Sequence, residues 1–300
     1  MLSGKIAIVT GASRGIGAGI ARALATSGAT VIVAARTAVA DAHATWGEEG
    51  GPVVPGSLAE TLASIHAAGG HAEAYQIDLS HTGEIEKMVG YVADKFGTID
   101  ILVNCAMGFP KSYKGELWNS PIGDWDAYMD IGVRSKYMMA RFASQIMIKQ
   151  KSGLIANISA AASKDEYYNP VFRMAMSCVD RMTSAIAFDL RPHGVSAVSV
   201  WPRWVRTERV MMSVADATLG FDITPEDLEI SDTPEFTGRA IAHLAVDPKL
   251  SERSGRAYPV VQLAHDYEFD DFDGTRPPID DYTREWDAKL EAIHKILNSG

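Results

Sequence analysis

Short apolar runs rich in valine and isoleucine recur along the chain, and each is followed by a longer segment in which apolar positions return every three to four residues. The first pattern is that of buried strands and the second that of amphipathic crossover helices, so their alternation predicts an α/β fold: a doubly wound parallel sheet with helices on both faces. About seven strands are expected, over Lys5–Thr10, Thr30–Ala35, Ala72–Ile77, Asp100–Asn104, Gly153–Ile158, Val195–Trp201 and Ala257–Val261, all reading as runs buried on both faces. Between the second strand and the next helix, TAVADAHATWGEEGGPVVPG is rich in Gly, Pro and Ala and predicts a long surface insertion over about 37–56. A Met-rich and then acidic stretch within about 208–233 predicts a lid, and a helix is expected to begin near Pro234. The pattern divides the chain into a main domain over 1–265 and an acidic, aromatic extension over 266–300. That extension is expected to turn helical from about Asp281 and to pack on the body or on a neighbouring subunit.

The length of 300 residues, with 47% hydrophobic and 22% charged residues, suits one large globular domain. A net charge of -10 with scattered Lys and Arg excludes nucleic acid as a partner. Cys105 and Cys178 lie in apolar segments without metal-ligand spacing, which predicts a reduced, cytoplasmic protein with no metal site and no disulfide framework. The opening MLSGKIAIVTGAS has too short an apolar run for a signal peptide, and no later run is long enough for a bilayer span. A soluble protein with no membrane partner and a small-molecule substrate is expected.

The first strand runs into TGASRGIGAGIARALATSG, which places Gly11, Gly15 and Gly17 at a strand-to-helix turn. Glycines there let the backbone approach a pyrophosphate, while the helix amino terminus offers free N–H groups and the positive end of its dipole. At the end of the second strand, where an NAD site places an acid for the ribose hydroxyls, stand Ala35 and Arg36. An arginine pairs with a 2'-phosphate that an aspartate would repel, and Arg14 adds a second cation, so the predicted cofactor is NADP(H).

The TGxxxGIG spacing of Thr10 to Gly17 resembles the short-chain dehydrogenase/reductase superfamily. Asp78 and Leu79 look like its adenine-contacting pair, Asn104 to Met107 like its Asn-Asn-Ala-Gly turn, GLIANIS like its fifth strand, and WPRWVRTE like its Pro-Gly turn with downstream Thr207. PEFTGRAIAHLAVDP and SGRAYPVVQLAHDYEFDDFDG resemble the branch containing dehydrogenase/reductase member 1. The resemblance covers nearly the whole chain. It implies a single-domain Rossmann fold of about seven strands and a homodimer or homotetramer built on the fourth and fifth helices. It also implies a cofactor site of Gly11, Ser13, Arg14, Gly15, Ile16, Gly17, Arg36, Asp78, Leu79, Asn104, Ala106 and Thr207.

The reaction centre departs from that pattern. In the family a tyrosine is the general acid or base, a lysine lowers its pKa and holds the ribose, a serine polarises the carbonyl and an asparagine supports a proton relay. Here the tyrosine and lysine positions hold Phe172 and Met176, the serine position holds Ala160 and the asparagine position holds Gly132. A phenol needs a hydroxyl of pKa about 10 and a nearby cation to work near neutrality, and this pair has neither. A one-residue slip would restore Ser159. A Tyr-x-x-x-Lys does occur at Tyr91 and Lys95, but before the fourth strand, where it reads as a solvated helix pair. Replacement groups are Tyr167, Tyr168, Arg173 and Arg203, with Lys164, Asp165 and Glu166 nearby in KDEYYNPVFR. Trp118, Trp201, Trp204, Met107, Met211 and Met212 would suit a bulky apolar or aromatic substrate, whereas core packing is expected for Trp125. Three functions fit: an NADP-dependent oxidoreductase-like enzyme working by atypical reduction, a non-redox lyase, hydratase or isomerase on the same scaffold, and an inactive NADP-binding or scaffolding protein.

Overall fold

The computed structural model describes residues 1–40, 45–46, 51–108, 116–161, 169–219, 225–229 and 231–279. The strands are β1 (Ile6–Thr10), β2 (Thr30–Ala35), β3 (His71–Gln76), β4 (Ile101–Asn104), β5 (Gly153–Ile158), β6 (Val195–Trp201) and β7 (Ala257–Pro259). They form one parallel sheet in the order β3-β2-β1-β4-β5-β6-β7. The helices are α1 (Gly15–Thr26), α2 (Leu58–Ala67), α3 (Thr82–Phe96), α4 (Ile122–Trp125), α5 (Ser135–Gln150), α6 (Pro170–Leu190), α7 (Glu208–Ala215), α8 (Pro225–Glu229), α9 (Pro234–Val246), α10 (Leu250–Arg253) and α11 (Val260–Asp266).

The two-residue period of a strand sorts its side chains into two cores. Ala7, Val9, Val31, Val33, Ile101 and Val103 face α1, α2, α9 and α11. Ile6, Ile8, Ile32 and Leu102 face α3, α5 and the end of α6. Both layers are apolar, so the strands read as continuous hydrophobic runs. The exception is β3, paired only with β2 and half exposed along its length, where a fully buried strand was expected. At the other edge β7 ends at Pro259 instead of continuing to Val261, and Val260 opens α11, because a proline removes the donor a further ladder bond needs.

Chain order reverses between β1 and β4, and that reversal leaves a crevice at the carboxyl ends of the two strands. Over this edge lie the segment expected to form a lid and the insertion. The lid region is helical, as α7 and α8. The insertion is tied by an antiparallel bridge between Thr45 and Val53, and its Trp46, only 6% exposed, packs with Val54, Trp204, Met212 and Leu219. The predicted surface excursion is therefore anchored against α7 by a buried tryptophan. In the extension, Phe269 stacks edge-on against Phe236 and Asp271 accepts from the Thr233 amide at 2.7 Å. The helix expected from Asp281 lies outside the described residues. No helix among the described residues is long and apolar enough to cross a membrane.

The closest helix contact is between α1 and α9, where a methyl added to Gly19 would overlap the Pro234 backbone and one on Gly238 would lie 2.7 Å from the Ile20 Cα. Overpacking of this kind costs about 1–3 kcal/mol. Gly238→Ala is expected to lower unfolding stability by that amount in a denaturant titration, whereas Gly83→Ala, with open space around it, should be neutral or slightly stabilising.

Candidate functional site

The crevice is built on Thr10, the last residue of β1. Its hydroxyl donates to the Val103 carbonyl oxygen at 3.3 Å and accepts from the amides of Cys105 and Ala106 at 3.1 and 3.2 Å. This spans the point where the chain order splits and draws the turn after β4 onto the glycine loop. The approach leaves no room for side chains: a methyl on Gly11, at φ +69°, would lie 2.8 Å from the Ala106 Cα, and one on Gly17 would overlap the Gly11 carbonyl oxygen. Gly15 also has a positive φ, of +57°. Ser13 is buried in the loop and Ile16 packs against the sheet core.

The loop already holds an anion. The Gly15 amide donates to a carboxylate oxygen of Glu208 at 2.7 Å, the contact a phosphate oxygen makes at a helix amino terminus. Thr207 caps α7 by accepting from the Val210 amide, and its methyl lies against Gly15. Cations gather beside this. Burial holds the Arg14 guanidinium below its ordinary pKa, the charges of Arg209 and Arg36 lower it further, and Glu208 and Glu60 oppose them. Arg14 also donates to the Gly56 carbonyl oxygen. At the end of β3, burial alone would raise the pKa of Asp78, but hydrogen bonds from Ser80 and the charges of Arg36 and His81 leave it below the ordinary value. Leu79 is buried beside it, and Asn104 and Ala106 are buried at the end of β4. The cradle, its anion contact and its cations fit a dinucleotide.

At the other end of the crevice, Phe172, Met176 and Ala160 come together in one apolar cluster with Tyr128, Val133, Val171, Ala175, Met107 and Met129. Phe172 meets Tyr128 edge-on at 5.3 Å, and Met176 is 1% exposed. Gly132 lies within a π-helical stretch, Asp126–Arg134, and a methyl there would meet only the Met107 Cγ, at 3.9 Å, so steric crowding does not require glycine. Below the cluster the polar groups are intact. Asn104 donates to the Asn157 side-chain oxygen and Asn157 to the Thr183 hydroxyl, both at 2.8 Å, and Ser199 donates to Thr183 at 3.0 Å. Lys136, 1% exposed, donates to the carbonyl oxygens of Asn104 and Ala106 at 3.0 and 2.9 Å. Burial lowers its pKa to about 8, and burial raises the neighbouring Cys105 thiol to about 11.

Several expected replacements stand elsewhere. Ser159 is buried beneath the cluster, and its hydroxyl donates to the Met176 carbonyl oxygen at 3.2 Å with the Asp180 carboxylate also in reach, so the one-residue slip supplies no pocket-facing serine. Arg203 is held by Asp232 at 2.9 Å, a carboxylate almost without exposure, and is thus committed to an ion pair. Arg173 follows Phe172 in the first turn of α6, where the Asn169 side chain caps the helix by accepting from the Phe172 amide. Asn169 in turn donates to Asp124, which ties α6 to α4. Tyr167, Tyr168, Lys164, Asp165 and Glu166 lie outside the described residues. Trp201 is core, donating to Asp180 at 3.1 Å; Trp204 and Met212 pack on Trp46; and Trp118 and Trp125 are exposed, against the expectation of a buried Trp125. Tyr91 and Lys95 both bind Glu73 on the β3 edge, remote from the crevice. No group of metal-ligating side chains occurs among the described residues.

Asp180, Lys136, Glu208, Arg209 and Trp46 escaped the sequence reading. Asp180 was accessible to it: four residues after Met176, it lies on the same face of α6. Lys136 gave no signal, since a lysine in a helix is ordinarily solvated.

A family model described as Enoyl-(Acyl carrier protein) reductase matches residues 11–249. Dehydrogenase/reductase SDR family member 1 of Mus musculus is 30% identical over 295 residues, covering 94% of this chain and 87% of that protein. Among solved structures, a metagenomic short-chain oxidoreductase in complex with NADP matches with a TM-score of 0.63 at 29% identity, over 83% of this chain and 94% of that one. A 7 alpha-hydroxysteroid dehydrogenase complexed with NADH and 7-oxo glycochenodeoxycholic acid matches with a TM-score of 0.69 at 26% identity, over 86% and 93%.

Burial pushes the Asp180 carboxyl up to about 6, against the hydrogen bond from Trp201 and the nearby hydroxyls of Ser159 and Ser199, which favour the ionised form. The folded protein therefore holds this proton to higher pH than the unfolded chain does. The associated stability is complete below the ordinary value of 3.8 and is lost as pH rises through about 6. Asp180→Asn is expected to flatten the dependence of melting temperature on pH in this window, raising stability at pH 7 by at most about 3 kcal/mol. The indole fluorescence of Trp201 should report the same titration in the parent and lose it in the variant.

Proposed function

Because this chain belongs to the short-chain dehydrogenase/reductase superfamily, we propose that it binds NADP(H) in the crevice between β1 and β4 and reduces a bulky apolar or aromatic substrate that is already electrophilic. The observation that carries this reading is the contrast within one crevice. The phosphate end keeps its glycines, anion contact and arginines, while the tetrad positions form an apolar cluster. NADPH, when bound, supplies a hydride. What the chain adds is placement: the glycine loop and Arg14 and Arg36 hold the phosphates, and Phe172, Met176, Tyr128 and Met107 give a dry apolar wall for the substrate.

General acid catalysis typically supplies about two to four orders of magnitude in rate, and no acid stands at the usual position. An unactivated ketone is therefore a poor acceptor. An iminium or a conjugated carbonyl accepts hydride without prior protonation, because a formal charge or an extended π system already takes up the electron pair. The description of the matching family model, an enoyl reductase, falls in the same class of acceptor. The exposed apolar side chains Tyr137 on α5 and Met174 and Phe188 on α6 support a homodimer or homotetramer formed through these helices.

Incubation with deuterium-labelled NADPH and a panel of iminium, enone and ketone substrates should label an iminium or enone product and leave simple ketones unreduced. Turnover without label would replace this reading by the lyase, hydratase or isomerase alternative. Tight NADPH binding with no turnover across the panel would favour a binding or scaffolding protein. The double substitution Phe172→Tyr with Met176→Lys is expected to raise ketone reduction by about 10²–10⁴ over the parent.

A further inference from the structure

Helix α1 opens without a cap of its own. Arg14, at the N-cap position, makes no side-chain hydrogen bond to the first turn, and that turn contains no acidic residue. The first amide groups of a helix have no intrahelical acceptor and lie at the positive end of its dipole, so they call for an anion from elsewhere. The anion comes from far along the chain: the Gly15 amide donates to a carboxylate oxygen of Glu208, 193 residues on, at 2.7 Å. A methyl built on Gly15 would lie 3.4 Å from the Thr207 methyl and 3.7 Å from that same Glu208 oxygen, so the amino end of α7 stands directly against the glycine loop.

We propose that Glu208 is a built-in competitor for the phosphates of the cofactor: it holds the Gly15 amide that a diphosphate oxygen requires, and a dinucleotide displaces it on binding. The inference rests on the reading that a dinucleotide binds this crevice. It does not depend on the choice between NADPH and NADH, because the diphosphate is common to both. One N–H makes one strong hydrogen bond, and a phosphate and a carboxylate crowded onto it would repel as like charges in a partly buried place. Occupancy is therefore exclusive. The contact is of the charge-assisted kind, and what it contributes to the cofactor-free protein is subtracted from the affinity for cofactor. Glu208 also imitates a phosphate in its surroundings, since its charge raises the pKa of Arg14 against the effect of burial. Rotation of one side chain is enough to clear the amide. Helix α7 is capped by Thr207 through the Val210 amide and buries Val210 and Ser213, while its root is fixed by the Val205–Asp232 bridge and by Arg206 on the Ser231 carbonyl oxygen. None of these contacts involves the Glu208 carboxylate. The arrangement is selective: a small anion held only by the loop competes with Glu208 on equal terms, whereas a dinucleotide brings the contacts of its adenine and riboses as well.

Dissociation constants for NADPH and NADH should be measured by isothermal titration calorimetry on the full chain, with Glu208→Ala, Glu208→Gln and Glu60→Gln checked for folding by circular dichroism. Both cofactors are expected to bind about tenfold more tightly to Glu208→Ala than to the parent. Glu208→Gln, which keeps an oxygen and loses the charge, should fall between the two. Glu60 is an exposed acid that also acts on Arg14, and its replacement by Gln should change either affinity by less than about twofold. Unchanged or weaker binding of both cofactors by the Glu208 variants would overturn the inference, and so would equal tightening by Glu60→Gln, which would reduce the effect to net charge. In either case a parent that prefers NADPH leaves the NADP reading standing. Tightening of both cofactors on a parent without preference would support the role of Glu208 and remove the NADP preference. No binding of either cofactor by any form would remove the dinucleotide reading and this inference with it.

Discussion

The hydroxyl of Thr10 closes the split at the centre of the sheet, and most of the site depends on that closure. One oxygen engages the Val103 carbonyl and the amides of Cys105 and Ala106, so the turn after β4 is pulled against the glycine loop after β1. The approach admits no side chain at Gly11 or Gly17. At the start of the same turn, the Asn104 side chain reaches over to Asn157 on the neighbouring β5, and Lys136 clamps the carbonyl oxygens of Asn104 and Ala106. The cofactor cradle and the polar floor of the reaction centre are two sides of one hydrogen-bonded junction. Directly above that junction lies the apolar cluster of Phe172, Met176 and Ala160.

The site therefore has two layers with different chemistry. Below are Asn104, Asn157, Thr183, Ser199 and Asp180, linked across three strands and α6. Above are Phe172, Met176, Ala160 and Tyr128, packed in one apolar cluster. Burial raises the Asp180 carboxyl to about 6, so a group that titrates just below neutrality belongs to the lower layer.

Much of this was legible in the sequence where a local pattern has one physical meaning. Valine-rich runs separated by amphipathic segments specify a parallel sheet, and the glycine spacing specifies a close backbone approach; the strands begin within a residue of their expected starts, and Gly11 and Gly17 admit no side chain. The failures came where meaning depends on distant neighbours. An edge position exposed β3, whose composition looked internal. Arg203 resembled a free cation in a run of sequence, but Asp232, far along the chain, claims it. Trp46 lay in a segment of surface composition and is buried because α7 folds over it. Ser159 faces the core because strand alternation directs it there, which a residue count at a strand end does not settle.

The apolar layer is also thin in the genetic sense. Phenylalanine and tyrosine codons differ by a single base, as do those of methionine and lysine, so the path between this crevice and a proton-donating one runs through two point changes. Because Asp180 sits one helical turn beyond Met176, a cation arriving at that position would find a counter-charge already in place. Two base changes thus separate the apolar pair at 172 and 176 from a hydroxyl with its cation, and related chains can be expected on both sides of that boundary.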